Sequence, residues 1–299
     1  MFRINCCGLI AAFAIFLTSS SIRADVQATL INGDVVVTGD NGNNDVRISR
    51  IHGSLHLFRG LNGTTINGSS FAVLPIQDDL VIELEGGHDS LEILSLRARS
   101  VSHADVHIEM GDGDDQILIN NASIARHLII DTDRFLSGND DIELENVRVG
   151  RFLIADLGDG LDRFFAIDCL VERTMDIEAD EMVSIILHRN IADRIEIDSG
   201  VAGSDVIRVL NNDVETIEVR TSDESDDVIF MSNSIFTASG IVDLGGGDDV
   251  LDLRFNDFGF WGFVRGVLLV VGGPGRDTGI ISDNGLFRPA VVLFEGTVR

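Results

Sequence analysis

Apolar and polar residues alternate along this chain in short runs, and the runs recur about every 22 residues. In Asp140-Asp141-Ile142-Glu143-Leu144-Glu145-Asn146, Asp205-Val206-Ile207-Arg208-Val209-Leu210-Asn211 and Asp227-Val228-Ile229-Phe230-Met231-Ser232-Asn233, an Asp precedes apolar residues at +2 and +4 and an Asn at +6. The anchor falls at Asp140, Asp162, Ser184, Asp205, Asp227 and Asp249. Alternation at every second position reads as half-buried strand, because a helix would repeat its apolar face every 3.6 residues. A fixed long period means stacked units, each too small to bury its apolar face alone.

One unit shows the plan. Ile241-Val-Asp-Leu244 and Val250-Leu-Asp-Leu253 flank Gly245-Gly246-Gly247-Asp248-Asp249, so two short strands meet at a glycine turn, and a weaker third strand closes the coil after Asn256. Three short strands in about 22 residues predict an all-β chain, a right-handed parallel β-helix (β-solenoid). Proline is scarce, as a ladder continued above and below requires. Asn121, Asn146, Asn190, Asn211 and Asn233 recur at +6, with Asp168 substituting once, and their stacked amides predict an asparagine ladder along the axis.

The expected division is a leader over 1–24, N-terminal coils or a cap over 25–80, solenoid repeats over 81–257, and C-terminal coils and a cap over 258–299. In the second segment, Asn32-Gly33, Asn62-Gly63 and Asn67-Gly68 read as turns between short strands. In the last, Phe258-Gly-Phe260-Trp261-Gly-Phe263 reads as a plug or cap, with a sugar-stacking platform as the alternative, and Leu268-Leu-Val-Val271 as a buried strand.

The leader is read as a signal peptide. Arg3 precedes the short apolar stretch Cys6 to Leu17, with cleavage expected after Ala24 or Ala28. No later apolar stretch is long enough to span a bilayer as a helix, so the chain is expected to be secreted or at the cell surface. Two of the cysteines leave with the leader. Cys169 then has no disulfide partner and reads as a small packed hydrophobe. The net charge is −27, and every basic residue is Arg. Such acidity argues against nucleic acid and anionic lipid as partners, while 44% hydrophobic residues exclude a disordered acidic tail.

Acid concentrates at the turn before the second strand. Stacked carboxylates repel, so a column of them calls for solvation, protonation or a cation. Calcium suits it, taking six to eight oxygens from carboxylates and backbone carbonyls. The plain alternative is a Gly-Asp turn that hydrogen-bonds its own backbone and faces water.

Gly272-Gly273-Pro274-Gly275-Arg276-Asp277 resembles the GGxGxD core of the hemolysin-type (RTX) calcium-binding repeat. Gly111-Asp-Gly113-Asp-Asp115-Gln-Ile117, Gly158-Asp-Gly160-Leu-Asp162-Arg-Phe164 and Gly245-Gly-Gly247-Asp-Asp249-Val-Leu251 keep most of the pattern. The stretch from Leu30 to Ile48 also looks like the lead-in to such regions. The resemblance implies calcium between stacked turns, with Asp115, Asp162, Asp249 and Asp277 as ligands and Asp112, Asp159 and Asp248 nearby. This chain departs from the family in its spacing, since family repeats run in tandem every nine residues and here one motif occurs per coil.

Parallel β-helices also serve polysaccharide lyases and glycoside hydrolases, which need a carboxylate pair set apart or a bound calcium with a base. The acids here are so regular that no pair stands out, and neither a His-Glu-x-x-His helix nor a Gly-x-Ser-x-Gly elbow occurs. His88 reads as a turn residue, and His103 and His107 as an exposed strand face. The expectation is a secreted non-enzymatic calcium-binding solenoid with a structural, adhesive or surface role. Its possible partner is a cell-surface or extracellular polysaccharide, and the alternative is a lyase or hydrolase on the same fold.

Overall fold

The computed structural model describes residues 24–98, 104–132, 138–200, 202–222, 225–254, 256–258, 267–282, 285–286, 291–293 and 297–298. All but the last residue of the leader expected over 1–24, His103 and most of the aromatic run ending at Phe263 lie outside the described residues. No helix occurs among them, and the chain is a parallel β-solenoid with coils about 22 residues apart.

Strands Val106–Glu109, Gln116–Asn120 and Ser123–Ile124 make one coil, and Leu128–Asp131 opens the next. The first, third and fourth lie in one sheet and Gln116–Asn120 in a second sheet. Each strand pairs in parallel with its equivalents in the coils before and after. Ile117, for example, lies between Leu91 and Ile142, and Ile108 between Ile82 and Ile130. In later coils the short strand runs into the next, giving Leu170–Glu178, Ile191–Asp198, Asp213–Arg220 and Ile235–Asp243.

The period-2 alternation becomes a core of in-register columns. One runs through Ile93, Ile119, Leu144, Ala166, Leu187, Val209, Met231 and Leu253, all buried. Size varies within a coil so that volume is conserved. Phe164 is fully buried, and the same coil carries the small residues Ala155 and Ala166. Cys169 is buried too, and burial pushes its thiol up to about 11. Leu268 and Val270 are buried in the strand Val267–Val271, as read from sequence.

The N-terminal end is built differently. Asp25–Ile31 and Asp34–Thr38 form an antiparallel hairpin around Asn32 and Gly33, both at positive φ (56° and 113°). Asp45–His52, Leu55–Gly60 and Phe71–Pro75 form an antiparallel meander beside it. Parallel pairing begins with Asp25 and Val26 on Thr65 and Ile66, and continues where Asp34–Thr38 meets Leu80–Glu83 and Asp45–His52 meets Ser90–Leu94.

The asparagine ladder is present, one residue later than the +6 pattern indicates. The backbone N–H of Cys169 donates to Asn190 Oδ1 (2.9 Å), that of Asn190 to Asn212 Oδ1 (2.8 Å), and that of Ser234 to Asn256 Oδ1 (3.1 Å). Ser234 fills the place between, accepting from the Asn212 N–H at 3.1 Å. Asn121, Asn146, Asn211 and Asn233 are instead exposed turn residues with φ between 51° and 57°, as is Asp168 at 56°. Asn is favoured there because it tolerates the left-handed conformation. Asn190 joins the ladder because its coil is one residue shorter: Val183, not Ser184, stands in the anchor column, and Ser184 faces outward opposite Arg163.

Candidate functional site

The anchor Asp residues form a buried column. The backbone N–H of Asp89 donates to Asp115 Oδ1 (2.7 Å), that of Asp115 to Asp140 Oδ1 (2.7 Å), and that of Asp140 to Asp162 Oδ1 (2.8 Å). Val183 interrupts the series. It resumes with the Val183 N–H on Asp205 Oδ1 (2.9 Å), Asp205 on Asp227 (2.8 Å), Asp227 on Asp249 (2.8 Å) and Asp249 on Asp277 (3.3 Å). Each carboxylate therefore reaches back one coil to satisfy a peptide donor where the chain leaves the turn. Asn44 begins the column: its N–H donates to Asp89 Oδ1 (2.7 Å), and its amide nitrogen reaches the carbonyls of Asp40 (2.8 Å) and Gly42 (2.6 Å).

The turns beside the column stack closely enough to demand glycine. A Cβ on Gly113, at φ +136°, would lie 1.6 Å from the Gly87 carbonyl oxygen, and one on Gly275 would lie 1.6 Å from that of Gly247. The Gly-Asp motif thus serves two purposes. Its glycines let turn sit on turn, and its Asp bridges the coils.

The residues singled out from sequence separate into three places. Asp115, Asp162, Asp249 and Asp277 belong to the buried column. Asp248 belongs to an outer, exposed ladder one residue earlier: its N–H donates to Asp226 Oδ1 (2.8 Å), and its own Oδ1 accepts from the Arg276 N–H (2.9 Å). The same outer row carries His88, whose Nδ1 accepts from the Asp114 N–H at 3.0 Å, so His88 is a turn residue as read. Asp112 and Asp159 lie earlier in their turns, the first half-buried and the second exposed. Among the described residues, no three His, Cys, Asp or Glu side chains converge on one point suited to a metal.

Asp89, Asp140, Asp205 and Asp227 occupy the column equally, although they lie outside the motif matches. The period itself is the signal that finds them.

Burial dominates the electrostatics. It pushes Asp89, Asp205 and Asp249 up to about 7 and Asp140 up to about 6, against the pull of the peptide N–H that each accepts. Asp227 is raised for the same reason. Asp205 has a hydroxyl for its second oxygen, Ser199 Oγ at 2.5 Å. The Oδ2 atoms of Asp89 and Asp249 are buried and have no hydrogen-bond partner among the described residues. Such an atom is costly as an anion, so it favours a proton or a cation.

Concavities mark the outer surface of the described residues. One, on the second sheet, is lined by residues including Glu92, Gln116, Leu118 and Glu143. Another lies at the corner of the left-handed turns. No helix among the described residues is long and apolar enough to cross a membrane. No protein-family model matches the chain, and neither does any curated protein or solved structure.

Proposed function

We propose that this chain is a secreted, non-enzymatic β-solenoid with a structural, adhesive or surface role, and that calcium serves as a counter-ion of its carboxylate column. The observation that carries the reading is the pair of buried Oδ2 atoms on Asp89 and Asp249, one on either side of the break at Val183, that have no hydrogen-bond partner among the described residues. Hard carboxylate oxygens beside stacked turn carbonyls are the donor set calcium prefers. Asp89, Asp115, Asp140 and Asp162, and separately Asp205, Asp227, Asp249 and Asp277, would hold it. Bound there, it would supply the positive charge that burial otherwise draws from protons.

Equivalence supports a scaffold over an enzyme. The same carboxylate-to-amide bond recurs from coil to coil, whereas hydrolysis or elimination needs one acid or pair whose environment differs from its neighbours. The lyase or hydrolase alternative rests on the fold alone. Secretion rests on the leader sequence. Since Asp25 opens the first strand, cleavage after Ala24 would leave that strand whole and cleavage after Ala28 would divide it.

Calcium titrated into chelator-treated protein at mildly alkaline pH, followed by thermal unfolding, tests the reading. A midpoint raised by several degrees, with a smaller rise in Asp89→Asn and Asp249→Asn, is the expected result. A midpoint unmoved by millimolar calcium overturns it.

A further inference from the structure

The turn corner opposite the carboxylate column carries a different chemistry. Its concavity, of about 580 Å³, is lined by Arg50, Ser95, Arg97, Asn121, Ser123 and Asn146 together with Ala122, with no carboxylate among the lining residues. In a chain of net charge −27 this is a local reversal.

The fold assembles it from separate coils. Arg97, Ser123 and Arg148 are in-register partners on three successive short strands, so they rise in one row at the strand spacing of about 4.8 Å. Asn121 and Asn146 project from the left-handed turns just before those strands. Arg50 comes from the strand Asp45–His52.

Two features show capacity for a ligand. Arg47, Arg148, Arg163 and Arg189 each pair with a carboxylate, at 2.5 to 3.1 Å. The Arg50 Nε instead donates to the Gly53 carbonyl (3.1 Å), and Arg97 has no carboxylate partner among the described residues. The second feature is the half-buried Ser123, whose Oγ lies on the lining and has no hydrogen-bond partner among the described residues. A buried hydroxyl left unsatisfied is costly, and a bound polar group removes that cost.

We propose that this corner binds an acidic saccharide. Arg50 and Arg97 receive its carboxylate, and Asn121, Asn146 and Ser123 hydrogen-bond its hydroxyls. Guanidinium groups suit a planar carboxylate because they donate in a fork. The neutral amides and hydroxyls suit a polyhydroxylated neighbour of that acid, and the volume lies in the range of small-molecule sites, far above that of one inorganic anion. The site is remote from the carboxylate column and stands whether or not calcium binds there. It gives chemical content to the polysaccharide partner expected from the sequence.

Isothermal titration of the full chain with a galacturonate tetramer, a neutral galactose tetramer and inorganic sulfate tests the assignment. The galacturonate tetramer is expected to bind and to weaken with added salt, while the neutral tetramer and sulfate bind far less. Arg50→Gln and Arg97→Gln should each weaken binding at least about tenfold without moving the thermal midpoint. Arg97→Lys keeps the charge and removes the fork, and should fall between. Absence of galacturonate binding overturns the assignment. So does equal binding of the neutral tetramer or of sulfate, or unweakened binding by folded Arg97→Lys and Arg97→Gln chains.

Discussion

The backbone N–H of Asp227 donates to Oδ1 of Asp249, 2.8 Å away and one coil further along the axis. Both residues are buried, and the same bond recurs wherever an anchor Asp follows in the next coil. The column is therefore a set of peptide-satisfying acceptors whose charge the interior opposes, and its behaviour follows from those two properties.

The first consequence is pH dependence. Burial raises Asp89, Asp205 and Asp249 to about 7 and Asp140 to about 6, from the ordinary carboxyl value of 3.8. Between these limits the folded chain holds more protons than the unfolded chain, so stability falls as pH rises. The contribution is fully present below about pH 4 and is lost by about pH 7. Thermal midpoints measured in chelator should be higher at about pH 5 than at about pH 8. Calcium bound as proposed would compete with those protons, so its effect should be larger at the higher pH.

Removing the charge and removing the acceptor should have opposite effects. Asn44 already occupies the column, and its amide nitrogen finds turn carbonyls. Asp89→Asn should therefore keep the bond to the Asn44 N–H, raise the chelated midpoint at alkaline pH and flatten the pH profile. Asp89→Ala strips the acceptor from a buried N–H and should cost about 1–3 kcal/mol in urea unfolding.

Gly113→Ala tests the closeness of the turns. The added Cβ would fall 1.6 Å from the Gly87 carbonyl oxygen, at a φ of +136° that L-residues avoid. Relief needs two coils to part, so the loss should exceed the roughly 1–3 kcal/mol of ordinary overpacking. Gly63→Ala has the same sign of φ with nothing within 4 Å, and should show the backbone cost alone.

Adjacent asparagines should behave differently. Asn212 Oδ1 accepts from the Asn190 N–H (2.8 Å), and its Nδ2 donates to Leu187 O (3.0 Å). Asn212→Ala strips the acceptor from the buried Asn190 N–H, at about 1–3 kcal/mol. Asn211 is exposed at φ 57°, so Asn211→Gly should lie within about 0.5 kcal/mol of the parent. Chemical denaturation of the pair decides between the two columns.

Much of this architecture is written in the chain. Inward residues such as Ile93, Ile119 and Leu144 alternate with polar ones, and only stacking can bury so short a strand, so the period implies a solenoid. The glycines of 111–115 and 245–249 announce tight turns, and Asn32-Gly33 announces its hairpin. Residues one position apart were harder to separate. Asn211 and Asn212 carry the same side chain, yet one takes a left-handed turn and the other points into the core.

The sequence by itself therefore determined the repeat, the strand faces and the positions of the turns, because these depend on local spacing. The tertiary structure alone decided that the anchor carboxylates are buried, that each serves the coil before it, and that Arg50, Arg97 and Ser123 share one corner. Burial and convergence are properties of neighbouring coils, and a coil that is one residue shorter, as at Val183, shifts its register without changing the local pattern.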